Sequence, residues 1–291
     1  HLNVFRIEGS AHVLLAVAGF NFARFQLATV AKNDSARGIL ASTGRIVVPT
    51  LIWSGVLLAV DSTFYPVSFL LITNFIGQPA HGFRTDFWFV EAVVQIMLLL
   101  FVVFTIPAMR SFQRVHPLRL AAAALAVGLL ARYGLGALWD PTYRGLPKVT
   151  HIVLWLFTLG WATAAVTTAR HRLMLTAVVV LAMPGFFDYA QRGIIAATGL
   201  LVLIWIPRLP VLWPLNRLAA VIANATLYIY LIHVTVAASV EFPSPIVAWA
   251  STVALGIAIG LVAERVMKVG ESWLRARLHA RNGRSPVAAT R

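Results

Sequence analysis

The chain has 291 residues, of which 59% are hydrophobic and only 12% charged, and it carries a net charge of +14. A soluble domain holds about twice that charged fraction, so the composition argues against a water-soluble fold and for a chain lying mostly in a bilayer. The basic residues sit in short loops between apolar runs, not on one compact face interleaved with aromatics, which argues against nucleic acid as a partner; the absence of cysteine excludes thiol catalysis, thiolate metal sites and disulfides.

Apolar runs give nine spans in chain order: Gly9–Thr29, Ile46–Val60, Phe87–Pro107, Leu120–Trp139, His151–Ala169, Leu173–Phe187, Gly193–Ile206, Leu218–Val240 and Ile246–Ala263. Several approach the 17–25 residues that cross roughly 30 Å of hydrocarbon, while Ile46–Val60, Leu173–Phe187 and Gly193–Ile206 are short. The expected fold class is all-α, a polytopic membrane helical bundle. The chain opens at His1 without methionine and without a charged region before an apolar core. We therefore expect no signal peptide but a preceding segment, with a tenth helix in it. Residues 1–263 form the expected membrane domain and 264–291 a basic cytoplasmic tail.

Charge placement orients these spans. If the loop holding Arg37 and Arg45 is cytoplasmic, about 17 Lys and Arg fall inside and about 5 outside, with Arg24 and Arg132 within spans. His1 then lies outside and the C-terminus in the cytoplasm. The long connection Asp61–Asp86 contains "YPVSFLLITNFIGQP", which fits an interfacial or re-entrant piece. Glu264–Arg281 fits a basic helix continuing the last span along the membrane surface, and "NGRSPVAATR" has a disordered composition.

Ionised groups near the bilayer centre cost at least about 2.5–3.5 kcal/mol, so each needs a partner or a purpose. In "AGFNFARF", Asn21 and Arg24 are one turn apart; Arg24 either meets a phosphate of a cytoplasmic ligand or snorkels, and spacing alone favours snorkelling. Arg45, in "GRIVVP", stands where the second span leaves the cytoplasm and is by itself ordinary positive-inside decoration. In "FWFVEAVVQ", Trp88, Glu91 and Gln95 share a face. Glu91 either orients a histidine or a substrate hydroxyl, or is a partly solvated carboxylate beside an interfacial tryptophan. In "LYIYLIHVTV", Thr226, Tyr230 and His233 share a face, and His233 is either a general base or proton relay or a hydrogen-bonded structural group. Spacing alone favours the structural role.

His1, His12, His81, His151 and His233 all fall on the expected outer side, but no HExxH pair occurs and no metal site is expected. There is also no nucleophile elbow, Walker loop or dinucleotide fingerprint.

Together these stretches resemble the membrane-integral acyltransferase 3 family. The features are a histidine ending a first helix (His1), a glycine–aromatic pair in the second (Gly19–Phe20), a basic "RI…P" entry to the third (Arg45-Ile46 with Pro49), a "WF" helix entry (Trp88-Phe89) and "LYIYL-x-H" in a late helix (Leu227–Leu231 with His233). The wording "HVLLAVAGFNFARF" is similar to the membrane domain that follows acyl-ligase domains in some actinobacterial proteins. The chain departs from the family at its R-x-x-R pair, present here as Ser42 and Arg45. The family's arginine upstream of the catalytic histidine would precede His1.

The resemblance implies an O-acyltransferase of the bacterial cytoplasmic membrane. Acyl-CoA, acetyl-CoA first, would be the cytoplasmic donor, with no permanently bound cofactor. The acceptor would be a hydroxyl of a glycan or lipid-linked molecule, and an acyl-ligase domain fused upstream is an expected partner. His1 would be the base that deprotonates the acceptor, with Glu91 and His233 as further catalytic or acceptor-side groups. Arg45 would hold CoA phosphates; Arg24, Asn21, Trp88 and Tyr230 complete the candidate substrate-contacting set. The main alternative is a proton-coupled secondary transporter or exporter, since intramembrane His and Glu suit a proton relay. No internal repeat supports it. A non-catalytic membrane anchor is the third reading.

Overall fold

A computed structural model of the chain describes residues 9–60, 64–76, 87–135, 147–206, 213–239 and 244–282. All regular structure among them is helical. Six helices are long and apolar enough to cross a membrane. The chain divides into two compact units, residues 1–210 and 211–291.

The first unit opens with α1 (Ser10–Asn33), which follows Gly9 in a left-handed conformation (φ 96°) and widens into one π-helical turn over Phe22–Gln26. Helix α2 (Arg37–Val60) starts eight residues before Arg45, so Arg45 lies two turns inside a helix and not at its entry. Pro49 within it has no N–H to close on the Arg45 carbonyl. A 3₁₀ turn (Pro66–Leu70) and a short helix α3 (Thr73–Ile76) lead to α4 (Trp88–Thr105). Next come α5 (Pro107–Val115) and α6 (Pro117–Leu135), each with proline in its first turn, where the missing N–H costs nothing.

The other three helices of this unit are short: α7 (Thr150–Ala165), α8 (Ala169–Ala182) and α9 (Ala190–Trp205) have 16, 14 and 16 residues, where the apolar runs His151–Ala169, Leu173–Phe187 and Gly193–Ile206 have 19, 15 and 14. At 1.5 Å per residue they reach about 21–24 Å, less than a full hydrocarbon core. The causes are local. Val166 is extended and Thr168 caps α8, its hydroxyl accepting from the His171 N–H at 3.4 Å. Pro184 and left-handed Gly185 then turn the chain after α8.

Helix α7 is the axis of the first unit. Nine consecutive residues, Trp155 through Thr163, are all buried, as is Val153, the pattern of a helix surrounded by others. Helices α1, α4 and α6 pack on it, with α1 its main partner. Lipid tails are as apolar as leucine, so close backbone approach must hold such helices together. A Cβ on Gly19 of α1 would stand 1.8 Å from the Phe157 carbonyl oxygen, and one on Gly160 of α7 would stand 1.8 Å from that of Ala16. Gly128 of α6 lies similarly close, its Cβ position 2.8 Å from the Trp155 Cα.

The second unit is a helix pair, α10 (Trp213–Ser239) and α11 (Pro245–Asn282). Ser244 accepts from the Val247 N–H at 3.3 Å and Pro245 opens α11. That helix runs without a break through 264–281. Gly256 and Gly260 face Ile229, Ala225 and Tyr228 of α10.

Gly19→Val and Gly160→Val each force two backbones apart, and should destabilise by about 3 kcal/mol or more, the upper end of ordinary overpacking. Gly44 has nothing near its Cβ position, so Gly44→Ala should change stability by no more than about 1 kcal/mol. Thermal unfolding in detergent separates the two cases. Equal behaviour of all three variants would contradict the crossing.

Candidate functional site

The first unit gathers polar side chains at two places. One joins the starts of α1, α4, α7 and α9 with the turn after α8; the other joins the end of α1 to α2 and α5.

At the first, Glu91 lies in the opening turn of α4 and is fully buried (0% exposed), not partly solvated. Its carboxylate accepts from the Thr73 N–H (3.2 Å), the Thr73 hydroxyl (2.6 Å) and the Asn74 N–H (2.7 Å). These backbone donors are among those that a helix N-terminus leaves without an intrahelical partner. Gln95, one turn further, donates to the Leu71 carbonyl (2.7 Å) and the Asn74 side-chain oxygen (2.9 Å), and it accepts from the Thr150 hydroxyl. Asn74 in turn donates to the Thr150 hydroxyl at 2.9 Å. The segment 71–74 is thus tied to α4 and α7 by a buried polar network, and Glu91 is its main acceptor.

Trp88, three residues before Glu91, is also buried, and its ring lies 4.8 Å from that of His12. His12 is 1% exposed, with Phe186 and Phe187 edge-on at 5.7 and 4.8 Å. Its Nε2 lies 2.8 Å from the Pro147 carbonyl oxygen. Arg192 of α9 stands over Phe187, its guanidinium carbon 4.9 Å from the ring centre. Arg132, in the π-helical turn Ala131–Leu135 of α6, donates to the Ala182 carbonyl at the end of α8. It also faces the rings of Phe186 (4.5 Å), Tyr133 (4.7 Å) and Trp155 (5.3 Å), so this cation is held by a helix C-terminus and aromatic faces.

At the second place, Asn21 and Arg24 are exposed, and Arg24 lies 5.7 Å from the Phe20 ring. Gln26, in the same π-helical turn, donates to the Ser42 hydroxyl of α2 at 2.7 Å. Arg45, also exposed, is one turn beyond Ser42. Counted along their helices, Arg24 is about 14 Å from Asn33 and Arg45 about 12 Å from Arg37, so both stand at similar depth. Beyond them Asp34 pairs with Arg110 (3.2 Å) and Arg114 (3.5 Å), and Arg110 caps the carbonyls of Phe104 and Thr105 at the end of α4.

Tyr230 and His233 belong to the second unit. His233 is exposed, its Nδ1 bonded to the Tyr230 carbonyl and its ring 5.2 Å from the Tyr230 ring. Thr226 bonds back to the Ile222 carbonyl at 2.9 Å. The face Thr226–Tyr230–His233 is therefore partnered along its own helix. His1 lies outside the described residues. Among the described residues no group of three or more His, Cys, Asp or Glu is placed to hold a metal ion.

Sequence reasoning singled out Trp88, Glu91 and Gln95 but not Thr73, Asn74 or Thr150, which complete their network from distant positions. It noted His12 only among the outer histidines, because "SAHVLL" carries no motif. Compared with known family models, curated proteins and solved structures, the chain matches none.

Glu91→Ala would leave buried donors on Thr73 and Asn74, at about 1–3 kcal/mol for each unsatisfied group. We expect at least tenfold faster amide exchange over Leu71–Ile76, with a smaller effect in Glu91→Gln. Unchanged exchange in Glu91→Ala would show that the carboxylate does not hold this segment.

Proposed function

We propose that the chain is a membrane-bound O-acyltransferase of the acyltransferase 3 type. It moves an acyl group from an acyl-CoA, with acetyl-CoA as the first donor to test, to a hydroxyl of a glycan or lipid-linked acceptor. The observation that carries this reading is the placement of two exposed arginines, Arg24 on α1 and Arg45 on α2, on helices that the Gln26–Ser42 hydrogen bond joins. Two guanidiniums at that position suit the phosphates of CoA. Arg45 also belongs to the "RI…P" stretch by which the sequence resembles the family.

In this reading the six long apolar helices and the three shorter ones, α7, α8 and α9, all cross the bilayer. The chain lies in the bacterial cytoplasmic membrane with its C-terminus in the cytoplasm, and an acyl-ligase domain precedes it. The Arg24–Arg45 side faces the cytoplasmic donor and the His12–Glu91 side faces the acceptor. His1 is the general base: it takes the acceptor's hydroxyl proton as the oxygen attacks the thioester carbonyl, and returns it to the departing thiolate. Glu91 acts through the segment it holds, as a positioning residue, and His233 is an acceptor-side group. A proton-coupled transporter would need a carboxylate available for relay, and the engagement of Glu91 by Thr73 and Asn74 lends that role no support.

The test is release of free CoA from labelled acetyl-CoA by the protein in nanodiscs, with and without a pool of membrane glycans and lipids. Release should depend on the acceptor pool and transfer the label to it. His1→Ala should lower the rate by about 10²-fold or more, the usual contribution of a general base, and Arg45→Ala should mainly raise KM for acetyl-CoA. If neither acetyl-CoA nor longer acyl-CoAs bind or turn over, the reading fails and proton flux into liposomes becomes the measurement to make.

A further inference from the structure

The chemistry around His12 is incomplete as it stands. A carbonyl oxygen only accepts, so the 2.8 Å contact with Pro147 requires the proton on Nε2. In the neutral ring Nδ1 is then a bare acceptor, and it is buried without a hydrogen-bond partner. Arg192 supplies the opposite half: its Nε is a buried donor that also lacks a partner. The two residues border the same ring, with Phe187 edge-on to His12 at 4.8 Å and under the Arg192 guanidinium at 4.9 Å. Gly9 brings them together. Its carbonyl receives the His12 N–H at 3.0 Å, and its missing Cβ leaves room for Arg192, whose Cγ is 3.4 Å from that position. Two buried, unsatisfied polar atoms of opposite sense are costly unless something joins them.

Phe187 also forms a wall of an apolar groove between α8 and α9, about 400 Å³ in volume and lined by Val180, Met183, Ile194 and Ala197 among others. His12 itself is closed to solvent, and the Phe187 ring, which touches both His12 and the groove, must turn aside for a group in the groove to reach its Nδ1.

We infer that His12 and Arg192 form a hydroxyl-binding site for an amphiphile, whose apolar part lies in the α8–α9 groove and whose hydroxyl donates to His12 Nδ1 and accepts from Arg192 Nε. A carboxylate or phosphate fits less well, because it has no proton to give the bare imidazole nitrogen. Trp88 and Phe186 already lie in ring contact with His12, so the group that reaches it is the small terminal hydroxyl of an alkyl chain. That this is the acceptor pocket rests on the acyltransferase reading; that it binds a hydroxyl does not.

The test uses the full chain in nanodiscs with no acyl donor, and compares labelled 1-octanol with its methyl ether, which keeps the chain but has no O–H. Binding is read against empty nanodiscs. The wild type should prefer the free alcohol at least tenfold, and His12→Phe should erase that preference. Arg192→Met, at a half-buried position, should reduce it and carries the test if His12→Phe does not fold. Ala197→Phe, which fills the groove, should weaken both ligands. Equal binding of the two forms by the wild type, or a preference surviving in both His12→Phe and Arg192→Met, would overturn the site. So would an absence of binding, which would leave a water molecule as the group joining the two residues. Acetyl transfer measured on the same samples keeps the questions apart. Hydroxyl-dependent binding without transfer would count against the acyltransferase reading alone, and transfer without His12-dependent binding against this site alone.

Discussion

The crossing of α1 and α7 at Gly19 and Gly160 is the contact on which the first unit depends. Each glycine faces a carbonyl of the other helix at a distance where no Cβ fits. In a bilayer, helix association draws on packing and not on escape from water, so this close approach is a main source of cohesion. It also fixes where the ends of both helices fall. With α1 held on α7, His12 sits beside Pro147, just before α7 begins, and Phe22 packs between Phe157 and Trp161. The glycine–aromatic pair Gly19–Phe20, one of the features behind the family resemblance, thus has a packing reason of its own.

The polar groups follow from the same constraint. A bilayer offers no water to a buried donor, so each polar atom must find its partner within the protein. Glu91, Gln95, Asn74 and Thr150 solve this as a network, and Arg132 solves it with a helix terminus and aromatic faces. His12 and Arg192 each have one nitrogen left over, as do the indoles of Trp53, Trp155 and Trp161. What sets His12 and Arg192 apart is that one nitrogen accepts and the other donates, and that both residues border the Phe187 ring.

Much of the helical order was legible in the sequence. Every apolar run contains a helix, because hydrophobic length is a strong signal when the solvent is lipid. The boundaries were less legible. Helix α2 begins at Arg37, in residues too polar to be counted in an apolar run, and α7 stops at Ala165 because Thr168 caps the next helix. The π-helical turns at Phe22–Gln26 and Ala131–Leu135 left no mark in the pattern. Of the site, the shared face of Trp88, Glu91 and Gln95 followed from helical spacing alone. The partners of Glu91 did not, since Thr73 and Asn74 lie 18 and 17 residues away in a segment without periodicity. His12 was invisible for a different reason: its neighbours Pro147, Phe187 and Arg192 come from three other parts of the chain.

The proposed function needs two chemically distinct ends that open to opposite sides of a membrane, and the absence of cysteine makes this directly measurable. A single thiol placed at exposed Tyr189, in the turn before α9, or at exposed Ser111 of α5 is the only one in the protein. In sealed vesicles of one orientation, a membrane-impermeant maleimide should label Tyr189→Cys from one side and Ser111→Cys from the other. Labelling of both from the same side would contradict the two-ended arrangement, and with it the separation of donor and acceptor.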